Sequence, residues 1–444
     1  MSNNRQPSGV PKRKGLDRMK RQLSAVCAVL ACAVLAVTAA SAQTKSSKAV
    51  TINFMTYVWQ PTTVAATKDI VAAWNASHPN IKVNEIQIDP NTVHDYIVTN
   101  FAGGTAPDII HDEAADIAGF TEQGYLADIR KLIPPSLKAS IPQRVWDSVT
   151  YGRKITAVPT LLQTYNVFAN VDALKAAGVK LPTTTNPWTW TQFRAAAKKL
   201  TGGGKFGVGW GLKSPTSVSM SMALNWGGTF FYFDKATGKW VVKVGKAESQ
   251  YLTTVHDMIW TDGSIDPAAV GSSGGGVLPG FFAGKYAMTI QGNYAAQQMI
   301  TSAPVGFRWA LLPLLKGTSQ DQMADPQTYS ITSQSTHKAE AMQFLAYLAN
   351  AQNMQKLAAG DWLIPSNPAA GKQLIKSTKH YGSWKVAISS LPALREHPLN
   401  YLVNYPQFKS QIATPALQAY FQNKSSLADL STALSSGWTK VNVR

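Results

Sequence analysis

The apolar pattern changes period twice within forty residues, and this switch constrains the fold more than any other feature of the chain. Val50-Thr-Ile-Asn-Phe-Met55 alternates as a strand, Ile70, Val71 and Trp74 recur at helical spacing within the stretch 64–74, and Ile81-Lys-Val-Asn-Glu-Ile86 alternates again. Two strands joined through a helix imply parallel neighbours with a crossover, hence an α/β sheet. A second unit follows: Ala106-Pro-Asp-Ile-Ile110 reads as a short buried strand. A helix from about Glu113 to Gln123 comes next, with Ala114, Ile117 and Phe120 on its apolar stripe and Gly124 at the C-terminal cap. Strand ends that feed helices are where such sheets hold ligands, because backbone groups and helix N-termini converge there.

Further along, Ile155-Thr-Ala-Val-Pro159 and Thr164-Tyr-Asn-Val-Phe168 are expected strands, and the helix from Val171 closes at Gly178. Thr189 with Gln192 three residues on forms a capping box for a helix to about Leu200. Gly202-Gly-Gly-Lys205 lacks phosphate-loop spacing and follows a helix, so it is expected to be a turn, and 272–276 a flexible loop. One long helix is expected over 338–357, and the C-terminal segment is helical in flavour but broken by prolines. At 444 residues, the chain has room for two domains.

The N-terminus reads as an export signal. Basic residues from Lys12 to Arg21 precede an apolar run, Leu23 to Val37, and Ala40-Ser-Ala42 fits a cleavage site that leaves Gln43 first. The run is short for a membrane span, and Met19 is an alternative start to Met1. Both cysteines, Cys27 and Cys32, lie inside this segment, so the mature chain has neither disulfides nor a thiol nucleophile. Val29-Leu-Ala-Cys32 bears a faint likeness to a lipoprotein acylation site, but bulky Leu30 favours a free periplasmic or extracellular protein. The net charge of +18 falls to +12 without residues 1–42, from 35 basic and 23 acidic residues. The excess is dispersed, which argues against nucleic acid as a partner.

Several blocks now resemble, in order, the family 1 extracellular solute-binding proteins, the sugar receptors of ABC importers that include maltodextrin-binding proteins. These blocks are Gly104-Thr-Ala-Pro-Asp-Ile-Ile-His-Asp-Glu113 with Gly124-Tyr-Leu-Ala-Asp-Ile129, Val158-Pro159 with Tyr165-Asn166, Pro187-Trp-Thr-Trp190, Phe282 to Gly292, and Lys338 to Leu345. The resemblance implies two discontinuous α/β lobes joined by a hinge, with a ligand cleft between them. One lobe would comprise 43–158 with 328–358 returning to it, the other 159–327 with 359–444. It further implies a monomer that delivers a sugar or oligosaccharide to membrane permease subunits, without cofactor or metal.

A sugar offers rim hydroxyls and an apolar C–H face, so its site wants flat rings and short polar side chains. By transfer onto the matching blocks, the candidates are Trp59, Asp112, Glu113, Gln163, Tyr165, Gly292, Asn293, Tyr294 and Trp362. Trp210 is added because its flanking glycines leave the ring accessible, and Trp226 because it precedes two glycines. Each has a plainer reading: edge packing for Trp59, N-capping for Asp112 and Glu113, a buried ring for Tyr165, a tight turn at Trp210 and Trp226. Asp116 is expected to be solvated. No His-Glu-x-x-His is present, and the one tight acidic cluster, His111, Asp112, Glu113 and Asp116, could serve binding alone, so no catalytic residue is assigned. The alternatives are an exported carbohydrate-active enzyme, and a receptor for a polyol, glycerophosphodiester or peptide.

Overall fold

The computed structural model describes residues 49–90 and 92–442; the apolar N-terminal segment, the cleavage site at Ala42, Cys27 and Cys32 lie outside them. Strand Val50–Tyr57, helix Pro61–Ser77 and strand Ile81–Ile88 form the expected crossover unit, the strands pairing in parallel from Val50 with Ile81 to Tyr57 with Ile88. The helix buries Ile70, Val71 and Trp74, the residues whose spacing announced it. Six strands make the first sheet, in the order Ile364–Pro365, Val158–Leu162, Pro326–Ile331, Ile109–Glu113, Val50–Tyr57, Ile81–Ile88. The three N-terminal strands run parallel and the other three join antiparallel, so the sheet is mixed.

The second sheet has the order Trp309–Leu311, Tyr165–Asn170, Tyr286–Gly292, Phe206–Gly209. Its central strand Tyr165–Asn170 alternates faces, as a pleat requires. Phe168 joins the buried cluster that continues from the first sheet, while Val167 and Ala169 join a second cluster on the opposite face. That second cluster takes in the C-terminal helices through Leu399, Phe408, Leu417, Leu434 and Trp438.

The backbone passes from the first sheet to the second at Gln163–Thr164, between strands Val158–Leu162 and Tyr165–Asn170. It returns between Leu311 and Pro326, and it enters the second cluster again after the short parallel pairing of Gln322–Met323 with Leu394–Arg395. The expected lobe boundary at 158/159 falls inside strand Val158–Leu162, which the first sheet keeps whole. The boundary at 358/359 falls inside helix Ala351–Asp361, where a Cβ on Gly360 would sit 2.8 Å from Thr63 of the first helix.

Local expectations fare unevenly. The Thr189–Gln192 capping box is present, Gly124 and Gly178 take the left-handed conformation, and Gly202 to Lys205 close a turn. The single helix over 338–357 is instead two, Lys338–Leu348 and Ala351–Asp361, because the Asn350 side chain accepts a hydrogen bond from Asn353 N and caps a fresh helix. The expected strand at Ile155–Pro159 is divided between the hairpin strand Lys154–Ile155 and strand Val158–Leu162. The loop expected over 272–276 contains a 3₁₀ turn, Gly275–Val277.

Candidate functional site

The C-terminal ends of the three parallel strands converge on one opening, as such sheets dictate. Tyr57 ends the first strand and Trp59 follows it; Pro90 and Val93 follow the second; Asp112 and Glu113 end the third. Facing them from the second sheet are Tyr165, at the start of its strand, and Tyr294, just past the end of Tyr286–Gly292. Gln163, at the backbone crossing, and Gln327 complete the wall between the two sets. The space enclosed is about 460 Å³. A recess of about 140 Å³ shares Tyr165, Ser214 and Tyr294 with it and extends toward Gly292 and Gln291.

Six of the eleven candidates therefore line one cavity: Trp59, Asp112, Glu113, Gln163, Tyr165 and Tyr294. Trp59 is 45% exposed and meets Tyr294 edge-on at 5.9 Å, so the two rings form a corner drawn from both sheets. Gly292 lines the recess, and its missing side chain is what admits Tyr294: a Cβ there would lie 2.1 Å from the tyrosine ring.

Three candidates lie outside the cavity and its recess, and a fourth, Trp210, is more deeply buried than its glycines suggest. Asn293 is fully buried: its Oδ1 accepts from Thr164 N at 2.9 Å, and its Nδ2 donates to the Trp362 carbonyl at 2.5 Å. It ties chain segments together and does not face the cavity. Trp362 is 2% exposed and stacks on Trp384 at 4.2 Å; its neighbour Leu363 reaches the cavity instead. Trp210 is also only 2% exposed. Its flanking glycines serve close packing, since a Cβ on Gly209 would strike the Tyr286 ring at 2.2 Å and one on Gly211 the Ser273 carbonyl at 2.3 Å. Trp210 lines the recess but not the larger cavity. Trp226 lines a separate hollow of about 440 Å³ with Trp190, Arg194 and Lys316, away from the residues of the cleft.

Sequence reading missed several lining groups. Tyr57 and Asp116 lie beside recognised residues, and Asp116, expected to be solvated, is half-buried in the wall. Ser214, Thr216 and Ser217 stand at and before the start of helix Thr216–Ala223; their crowding of hydroxyls after Trp210-Gly211 was a usable signal. Lys409 comes from a single π-helical turn, Lys409–Ala413, far along the chain, where no periodicity announced it. Such turns recur at functional sites.

The electrostatics are one-sided. Burial pushes the Asp112 carboxyl well above its ordinary range, and Asp116, Glu113 and Asp325 push it further, against one hydrogen bond from Glu113 N. Burial and Asp116 raise Glu113; burial, Glu113 and Asp116 raise Asp325. Burial works against the Lys409 ammonium, yet Asp116, Tyr405, Glu113 and Asp325 outweigh it and hold its pKa above the ordinary lysine value. His111, beneath this layer, is stacked between Tyr57 and Tyr329, and burial lowers its pKa to about 3, so it stays neutral. Such a cavity combines flat rings, hydroxyls and hydrogen-bond acceptors, the groups suited to a polar organic molecule.

The fold has close counterparts. The sugar-binding protein MalE of Xanthomonas citri superposes with a TM-score of 0.76 at 16% identity, over 89% of this chain and 98% of that one. The GacH receptor of Streptomyces glaucescens, solved unliganded and with acarbose, gives 0.72 at 18% identity, over 88% and 98%. The architecture is thus that of the two-lobed periplasmic binding proteins. In sequence, a Streptomyces antibioticus protein named "Uncharacterized lipoprotein in oleD 5'region" is 40% identical over 388 residues, 87% of this chain and 86% of its own length. Together with the match of residues 60–355 to the bacterial extracellular solute-binding proteins, these relationships establish that the chain belongs to that family.

Proposed function

We propose that this protein is the exported receptor of an ABC importer and captures a saccharide between its two lobes for delivery to membrane permease subunits. The observation that carries this reading is the cavity walled from both sheets by Tyr57, Trp59, Tyr165 and Tyr294, with hydroxyls and amides between the rings. Rings hold the C–H faces of a pyranose and the polar groups take its rim. The sugar-named proteins sharing the fold support the same choice. Trp59, Asp112, Glu113, Gln163, Tyr165 and Tyr294 are the proposed contacts, with Gly292 shaping the recess. The lobes pivot at Gln163–Thr164 and the two later crossings, the first lobe being built on the six-stranded sheet and the second on the four-stranded one. Ligand contacting both faces favours the closed form.

The protein acts as a monomer, binds no nucleic acid and transforms nothing. It is exported through its N-terminal segment. The lipoprotein name of the Streptomyces antibioticus relative supports an anchored form acylated at Cys32 beside the free form cleaved after Ala42, and the intact mass of the mature protein separates the two.

Titration of intrinsic tryptophan fluorescence with a panel of mono- and oligosaccharides tests the binding. A saturable change is expected, and Trp59→Ala should shift it to about tenfold higher saccharide concentration. No saturable response to any member would remove the saccharide reading. Reducing sugar released from an oligosaccharide, and abolished by Asp112→Asn, would favour an enzyme instead.

A further inference from the structure

Taking the cavity as a saccharide site, as proposed above, its charge remains unanswered. Asp112 is 5% exposed; its Oδ1 accepts from Glu113 N at 2.9 Å, and its Oδ2 has no hydrogen-bond partner among the described residues. Glu113 occupies the N-cap of helix Ala114–Glu122 yet makes no side-chain cap. Neither its side chain nor that of Asp116, in the first turn, accepts a hydrogen bond or forms an ion pair within 4.0 Å among the described residues. All three side chains line the cavity.

What opposes them is small. Lys409 is the one cationic side chain among the described lining residues, and it too forms no ion pair within that distance. The N-terminus of helix Ala114–Glu122 contributes the equivalent of about half a charge. These three carboxyls, with Asp325 near enough to act on Asp112 and Lys409, outnumber the positive groups, so the wall holds more acid than its own counter-charge can neutralise, and burial with this crowding raises Asp112, Glu113 and Asp325. The four surrounding rings add to the preference, because an aromatic face attracts a cation. A metal ion is a poor answer, since no group of three or more His, Cys, Asp or Glu among the described residues is arranged to hold one.

We infer that the saccharide for which this cleft is built carries a protonated amine, received by Asp112, Glu113 and Asp116 beneath the aromatic walls. An ammonium is a compact donor of three hydrogen bonds, and the unsatisfied carboxylate oxygens are acceptors at the same wall. A neutral sugar would bring no counter-charge, so the carboxyls would stay protonated or ionise without a partner, and an anionic one would add repulsion to any that ionise. Lys409 then sets the selectivity: it neutralises part of the acid, and an amine on the sugar supplies further positive charge.

A matched series of disaccharides tests this by fluorescence and calorimetry in slightly acidic buffer: cellobiose, its diamino counterpart chitosan disaccharide, and N,N′-diacetylchitobiose. The diamino sugar should bind about tenfold or more tighter than either neutral one, a gap that salt narrows. Glu113→Gln and Asp116→Asn, each verified as folded by circular dichroism, should shrink the gap, and Lys409→Met should widen it. Equal or tighter binding of cellobiose or the diacetyl sugar overturns the amine while leaving the saccharide receptor standing. Absence of binding by the whole series, and by the panel above, overturns both.

Discussion

Replacing Asn293 separates a ligand contact from a structural tie. Its side chain is fully buried and satisfies two backbone groups of distant segments, Thr164 N at 2.9 Å and the Trp362 carbonyl at 2.5 Å, while its own N–H donates to the Thr164 carbonyl at 2.9 Å. Asn293→Ala strands one donor and one acceptor away from water. A buried polar group left unpaired costs about 1–3 kcal/mol, so the two together should cost about 2–6 kcal/mol. Asn293→Asp keeps the acceptor for Thr164 but turns an oxygen toward the Trp362 carbonyl, exchanging an attraction for a repulsion at nearly constant volume. It should therefore destabilise at least as much as the alanine. Urea unfolding followed by tryptophan fluorescence measures both, and saccharide titration well below the melting range measures affinity, which should change only a few-fold. An Asn293→Ala protein with wild-type stability and abolished binding would refute the reasoning and return Asn293 to the cleft.

Two further outcomes follow from burial and charge. Trp59→Ala should weaken saccharide binding by about tenfold with little loss of stability, because the ring is half in solvent. Trp210→Ala should instead cost about 3–5 kcal/mol, the range for a large aromatic removed from a core, as denaturant unfolding of the pair would reveal. The folded-state pKa of Glu113 is raised by burial and Asp116 above its ordinary value of 4.5. Its contribution to stability is therefore fully present below the unfolded value and lost as pH rises through the folded one. Glu113→Gln should accordingly raise the melting temperature near neutrality and leave it unchanged in acid, and a uniform shift at both pH values would contradict the assignment.

Much of the candidate site was legible where function coincides with a strand end. Asp112 and Glu113 follow a short apolar strand, and chain direction alone brings them to the opening with Tyr57 and Trp59. The mistaken tryptophans show the limit. In sequence Gly209 and Gly211 suggest an accessible Trp210, whereas in the fold they admit the Tyr286 ring and the Ser273 backbone; a glycine marks a close approach without saying what approaches. Asn293 and Trp362 lie next to true lining residues, Tyr294 and Leu363, and one step along the chain turns a side chain from cavity to core.

Local chemistry within the sequence determined the crossover unit, the Thr189 capping box and the left-handed glycines, because period, cap and turn each depend on a few consecutive residues. The Asn350 cap that divides one apolar stripe into two helices is equally local, but tertiary structure alone decided that the C-terminal π turn brings Lys409 to carboxylates some three hundred residues earlier. It also decided which aromatic rings face the cavity and which fill the cores. Those outcomes depend on how separate segments pack, and side-chain period carries no record of the partner across the gap.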